Sequence, residues 1–381
     1  MVLPAATVAA LLVGGAVYAA SDTRTSDGSG AAPREGNALM ADWNARADGQ
    51  QVLGGSREPG VPTIQRLRHD GVFFTVTVAP ARPGPNLVRI DTLHTGKRHA
   101  GKPAWVGTGE DDLVEATPRP GTDGLWAVVD LPSGTGTVLV THGRWHRVPF
   151  AVETGTREVD TSLWTGDDGP ECVAAATAEI LSGAPAPSPC PAAVLTGDAE
   201  RALVDTVATL ADRGAEEIAV EHDESPRSAA AYAAVRAAAA THGVQVVEPS
   251  QAPGARNALL VVSGWAGAAR SLGDNSSLDL RDQAIRADGT WLAPWLLTPS
   301  VVDSTPGAVL PLDFDIRAQG AQEYARTLAT YLPGQAPTAS GYAAWRALHG
   351  IAPTRLTLYA ASRAAYMPSI AGHAGHETEV A

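Results

Sequence analysis

The period of the apolar residues changes once along the chain, and that change decides which folds are open to it. From 71 to 154 the period is two. Val72, Phe74, Val76 and Val78 share a face, and Val88 and Ile90 follow the turn "ARPGPN". Leu125, Ala127, Val129 and Leu131, then Val138 and Val140, then Val148, Phe150 and Val152, repeat the alternation of half-buried strands. With "PAWVG" and "DLVEAT" this makes seven short strands, the number in an antiparallel immunoglobulin-like β-sandwich, in which Trp126 reads as a core residue. Beyond 198 helices alternate with strands. Asp198 is placed to cap a helix over "AERALVDTVATLADRG", and Gly214 leads into the strand "EEIAVEHD". Ser225 as N-cap and Pro226 at the first helical position open "RSAAAYAAVRAAAATH", which ends at Gly243 before "VQVVE". The strand "ALLVVSG", the helix "AGAARSLG", the strand "TWLAPW" and the helices "QEYARTLATYL" and "SGYAAWRALHG" continue the series. Such alternation predicts an α/β lobe built on a doubly wound parallel sheet.

The remaining segments complete a mixed multidomain reading. Residues 2–20 carry no charge and match the length a helix needs to cross a bilayer, so 1–21 is expected to be a transmembrane anchor or a signal peptide. The Ser/Gly-rich stretch after it makes 22–69 a linker, followed by the sandwich at 70–155, a connector at 156–197, the α/β lobe at 198–353 and a C-terminal segment at 354–381. The expected location is the cell membrane, single-pass, with the bulk of the chain extracytoplasmic. Cys172 and Cys190 are the only cysteines, and in an exported chain they are expected to form a disulfide, two free buried thiols being the alternative. A net charge of −13 argues against nucleic acid as a partner, because that binding needs clustered cations.

"VTVAPARPGPNLVRIDT" and "GLWAVVDLPSGTGTVLVTHGRWHRVPFAV" resemble the soluble C-terminal domain of CopD-type copper-resistance membrane proteins and the related YtkA-like domains. The resemblance implies a sandwich in a membrane-proximal, extracytoplasmic setting, and copper (transition-metal) handling or sensing as the function. Ligands are not implied by it; they come from the residues. In a sandwich of the usual order, the loop after the second strand and the turn after the sixth lie at one end, which gathers His94, His99, His142 and His146. Lys97, Arg98, Lys102, Arg144 and Arg147 in the same loops favour instead an anionic ligand or lipid headgroups, with solvated histidines. Met367, His373, His376 and Glu377 offer thioether, imidazole and carboxylate groups in the tail, a second candidate for copper.

The order of elements in the lobe, with "ADRGAEEIAVEHDESPRSAAAYAAVRAAAATHGVQVV", "GAVLPLDFD" and "PGQAPTASGYAAWRAL", resembles one lobe of type I periplasmic solute-binding proteins of the branched-chain amino-acid class. It implies recognition of a small amino-acid-like solute or a protein partner. The chain is too short for a second lobe, so closure of two lobes over a ligand is not expected. A half-site at the C-terminal strand edges remains, where open sheets bind ligands, with Asp223, Ser225, Arg227, Ser263, Trp265 and Trp291 as candidates. The alternative is that Ser225 only caps a helix and the tryptophans pack the core. Enzyme motifs are absent: there is no Gly-x-Ser-x-Gly, Walker loop, HExxH or CxxC. Ser263, with Asp313 and His349 downstream, leaves a serine hydrolase as the distant alternative to a non-enzymatic binding protein.

Overall fold

The computed structural model describes residues 50–54, 58–69, 72–94, 97–98, 103–142, 146–184, 188–279, 281 and 283–361. The period-two segment folds into two antiparallel sheets. In the first, β1 (Gln50–Gly54), β2 (Thr63–His69), β3 (Val72–Ala79), β4 (Gly84–His94) and β5 (Lys97–Arg98) pair in chain order. In the second, β6 (Ala104–Gly107) and β7 (Val114–Ala116) join β9 (Thr135–His142) and β10 (His146–Glu153) in the order β10-β9-β6-β7. The strand between them in sequence, β8 (Leu125–Leu131), crosses back to pair with β4. The alternating residues meet between the sheets, where Phe74, Val76 and Val88 of one share a buried cluster with Val140, Val148 and Phe150 of the other. Each such side chain removed from water contributes about 1.5–3 kcal/mol. The turn before β4 is stapled by Asn86, whose Nδ2 donates to the carbonyls of Arg82 (2.6 Å) and Gly84 (2.8 Å).

The described strands of this region number ten rather than seven, and β1 and β2 lie inside the expected linker. The physical reason is visible in β2. Its two buried aliphatics serve different cores, Leu67 the sandwich and Ile64 the lobe, so neither side of the strand shows a clean alternation. Trp126 is buried as expected, but its ring packs outside the sandwich core, against Ala79, Leu87 and the lobe-side residues Val173 and Trp164.

The second segment forms one six-stranded sheet: β11 (Glu217–Glu221), β12 (Gln245–Val247), β13 (Asn257–Val261), β14 (Thr290–Leu292), β15 (Ala308–Leu312) and β16 (Thr357–Ala361). The order is β12-β11-β13-β14-β15-β16, parallel except for β16, which runs antiparallel to β15. The chain moves outward to β12 and then returns to β13 on the other side of β11, so the switch point lies between β11 and β13. The helices are α1 (Ser162–Thr165), α2 (Gly169–Leu181), α3 (Gly197–Asp212), α4 (Pro226–His242), α5 (Trp265–Ser277), α6 (Pro299–Asp303), α7 (Gln319–Tyr331) and α8 (Ala339–Leu348). Ser225 and Pro226 open α4 and Gly243 closes it with φ 69°, as the sequence predicts. For α3 the cap is Thr196 instead of Asp198. The Thr196 hydroxyl accepts from Ala199 N at 3.3 Å, which leaves Asp198 in the first turn, where its charge faces the positive helix end. β16 falls in the expected tail; only Ala361 of its five residues is buried, so an edge strand there leaves almost no pattern.

Sandwich and lobe meet along the C-terminal edge of this sheet. Gly121, at φ 76°, packs so close to Trp265 that a Cβ would overlap the Trp265 carbonyl oxygen. Thr298 Oγ1 donates to Gly121 O at 3.1 Å, and Gln335 Nε2 to Asp91 Oδ2 at 3.0 Å. The disulfide Cys172–Cys190 is formed and joins α2 to the short 3-10 turn Pro191–Ala193. Residues 1–21 and 362–381, the expected anchor and most of the expected tail, lie outside the described residues. Among those described, no helix is long and apolar enough to cross a membrane.

Candidate functional site

Among the described residues, two recesses of 280 Å³ or more open along the strand-end edge. The first sits at the switch point, where the loops after β11 and β13 meet the start of α2. It is an open hollow of 340 Å³, with Asp167, Asp168, Asp223, Glu224, Ser225 and Arg270 among its walls. Asp223 organises both loops. Its Oδ1 accepts from Ser225 N (3.0 Å) and Ser225 Oγ (2.6 Å), and its Oδ2 from Gly264 N (2.7 Å). Burial pushes the Asp223 carboxyl upward, but the hydrogen bonds from Ser225, Gly264 and Ser228 together outweigh it and hold the group below the usual aspartate value. Asp168 goes the other way. Burial first, then the negative charge of Glu171, raises it to about 6, with Asp223 and Asp167 adding and Arg227 opposing. The N-terminal ends of α4 and α5, which attract anions in open sheets, are thus occupied by the chain's own carboxylate.

The second recess, a cavity of 280 Å³, lies at the ends of β14 and β15. Its walls are mostly apolar, among them Val194, Pro294, Trp295, Phe314, Ala343 and Ile351. Two guanidinium groups reach it. Arg227 is held by Glu171 through both nitrogens, Nη1–Oε1 2.5 Å and Nη2–Oε2 2.6 Å, and lies 4.5 Å above the Trp295 ring. Arg346 pairs with Asp313 at 2.5 Å and has Asp198 at 3.9 Å. Ser340 Oγ donates to Glu171 Oε1 at 2.5 Å. Trp295 is itself fixed, its Nε1 donating to Ser263 O at 3.0 Å. The result is a small apolar chamber with polar groups already locked in place, the usual make-up of a small-molecule site.

The structure divides the six residues expected at the strand edge. Asp223 and Ser225 line the switch-point hollow, and Ser225 also caps α4. Arg227 lines the apolar cavity, although as half of a buried ion pair. Ser263 is 1% exposed and lines neither recess, and among the described residues its Oγ has no hydrogen-bond partner, so no described histidine contacts it. Trp265 packs at the junction with the sandwich, its Nε1 donating to Trp295 O at 2.9 Å. Trp291 is wholly buried mid-strand, its Nε1 on Asp288 O at 2.8 Å and Arg213 5.6 Å over its ring. Sequence reasoning missed Asp168, Glu171, Trp295, Ser340 and Arg346. Arg346 did leave a signal, since it falls one helical turn after the buried Tyr342 on the inward face of α8.

The expected copper ligands are not assembled among the described residues. His142 is 2% exposed and sits edge-on to Phe74, with ring centroids 5.6 Å apart, as a core side chain of the sandwich. β4 and β10 place His94 and His146 at strand ends, but their side chains, together with His99, Met367, His373, His376 and Glu377, lie outside the described set. Among the described residues no group of three or more His, Cys, Asp or Glu side chains is placed to hold a metal ion.

No family model matches the chain, and no curated protein matches it. Solved structures similar to it are periplasmic solute-binding proteins. A substrate-binding protein of an ABC transporter from Desulfitobacterium hafniense, in complex with leucine, is 13% identical, with 46% of this chain and 59% of that one covered at a TM-score of 0.30. An extracellular ligand-binding receptor from Rhodopseudomonas palustris is 15% identical over 41% of this chain and 49% of that one, at 0.30. A branched-chain amino-acid transporter protein from Rhodospirillum rubrum is 18% identical over 46% and 59%, again at 0.30. The chain therefore spans only about half to three-fifths of the length of these proteins. None of these three is a CopD-type or YtkA-like domain.

Proposed function

We propose that this chain is a non-enzymatic, extracytoplasmic binding protein that takes one small amphipathic solute, amino-acid-like in size and polarity, into the cavity at the ends of β14 and β15. The observation that carries the reading is the pairing of apolar walls with two immobilised ion pairs inside 280 Å³. A volume just under the usual range of about 300–1,000 Å³ for ligand pockets suits a single amino acid better than a peptide. Arg346, flanked by Asp313 and Asp198, offers both charge signs within reach of a zwitterion. The disulfide supports an oxidising compartment.

On the same proposal the sandwich is of immunoglobulin type. The return of β8 to β4, across from the order β10-β9-β6-β7, supports that topology. Its place against the strand-end edge supports a role as a fixed cover on the lobe. Nothing among the described residues favours copper. The test is calorimetric titration of the protein with L-leucine, L-phenylalanine, leucine amide and benzoate, with the change in intrinsic tryptophan fluorescence that is lost in Trp295→Phe as a second reporter. Saturable binding that is lost in Arg346→Ala is expected. Absence of binding by every member of the panel would remove the proposal.

A further inference from the structure

Two successive residues of α2 hold most of the cavity together. Glu171 is fully buried and its carboxylate receives three hydrogen bonds from two other helices: both Arg227 nitrogens from α4 and the Ser340 hydroxyl from α8. Arg227 and Ser340 both line the cavity. Through Arg227 the same carboxylate reaches a third wall, because the guanidinium it fixes stacks on Trp295 at 4.5 Å. The next residue, Cys172, is bridged to Cys190, which directly precedes the fourth wall at Pro191 and Val194. The floor and sides of the cavity come from segments far apart in sequence, and this pair of neighbours is where they are tied.

We propose that Glu171 is a positioning residue for the cavity. It touches no solute; it sets the directions of Arg227 and Ser340 and holds the guanidinium over the Trp295 ring, while Cys172–Cys190 clamps the opposite wall. This goes beyond the solute-binding reading of the cavity and rests on it. A buried ion pair is weak evidence for stability, since well-packed apolar replacements of both partners are often neutral or stabilising. Three charge-assisted bonds converging from two elements that line one chamber are what preorganisation of a site requires.

The test separates positioning from bulk stability by locating the loosening. In the full chain carrying Glu171→Gln, amide hydrogen exchange is expected to speed up about tenfold or more over 191–196 and 338–348, while β9, β10 and β11 keep wild-type protection. Unchanged exchange in those walls, or a uniform rise across the lobe, would overturn the proposal. Because Glu171→Gln leaves Arg227 without its charge partner and is at risk of misfolding, the double variant Glu171→Leu/Arg227→Met is the second arm. Its thermal midpoint is expected close to wild type, with the walls still exchanging fast and L-leucine affinity reduced about tenfold or more. Recovery of wall protection together with the midpoint would show that Glu171 serves stability alone. If the wild type takes up no L-leucine, the solute reading fails for that ligand while the exchange result still decides the role of Glu171.

Discussion

Asp168 gives the sharpest prediction of the electrostatics. It is the N-cap residue of α2, yet its side chain makes no capping hydrogen bond, and it lies against Gly264, where a Cβ would overlap its carboxylate. Burial and the charge of Glu171 raise it from 3.8 to about 6, despite Arg227. Between those values the folded chain holds a proton that the unfolded chain has released, so stability falls as pH rises through the window and stays lowered above it. About two pH units at about 1.4 kcal/mol each is about 3 kcal/mol, and partial exposure of the carboxylate widens the working range to about 1–3 kcal/mol. Asparagine matches aspartate in size and carries no charge, and no capping hydrogen bond is there to be lost. Asp168→Asn is therefore expected to be more stable than wild type by that amount near pH 7.5, with the gap closing toward about pH 4, where wild-type Asp168 is protonated in the folded state. Urea unfolding followed by tryptophan fluorescence across that range measures it. A variant no more stable than wild type near pH 7.5, or a gap that does not shrink with acid, would refute the reasoning.

Three further outcomes are expected. Thiol titration of the unfolded, unreduced protein should find no free cysteine, and replacing both Cys172 and Cys190 by alanine should cost about 3 kcal/mol, the loop-closure value for their separation of 18 residues. Trp126→Ala should cost about 3–5 kcal/mol and, because the ring joins Leu87 to Val173, should split calorimetric unfolding into separate sandwich and lobe transitions. Gly121→Ala combines a left-handed backbone at φ 76° with overlap on Trp265, so it should lower the thermal midpoint, whereas alanine at Gly134, where nothing lies within 4 Å of the added carbon, should show only the smaller cost of its positive φ.

The sequence by itself determined what is local. Alternation put Phe74, Val76 and Val78 on one inward face and Val148, Phe150 and Val152 on the face opposite, and Ser225, Pro226 and Gly243 bounded α4, because those signals depend on a residue and its near neighbours. The parallel order of β11 to β15 followed from alternating elements, and the disulfide from two cysteines in a chain that reads as exported. The tertiary structure decided what depends on distant partners. β2 escaped notice because it feeds two cores, and Trp126 turned out to seal a domain junction. Trp291, placed by sequence at a ligand edge, is wholly buried mid-strand and turns its ring toward Asp288 and Arg213, away from that edge, because a side chain's direction is set by the neighbours it packs against. The cavity was the least legible feature. Glu171 and Arg227 stand 56 positions apart, Glu171 and Ser340 169, and a buried charge is recognisable only when the partner that makes its burial tolerable has been brought beside it.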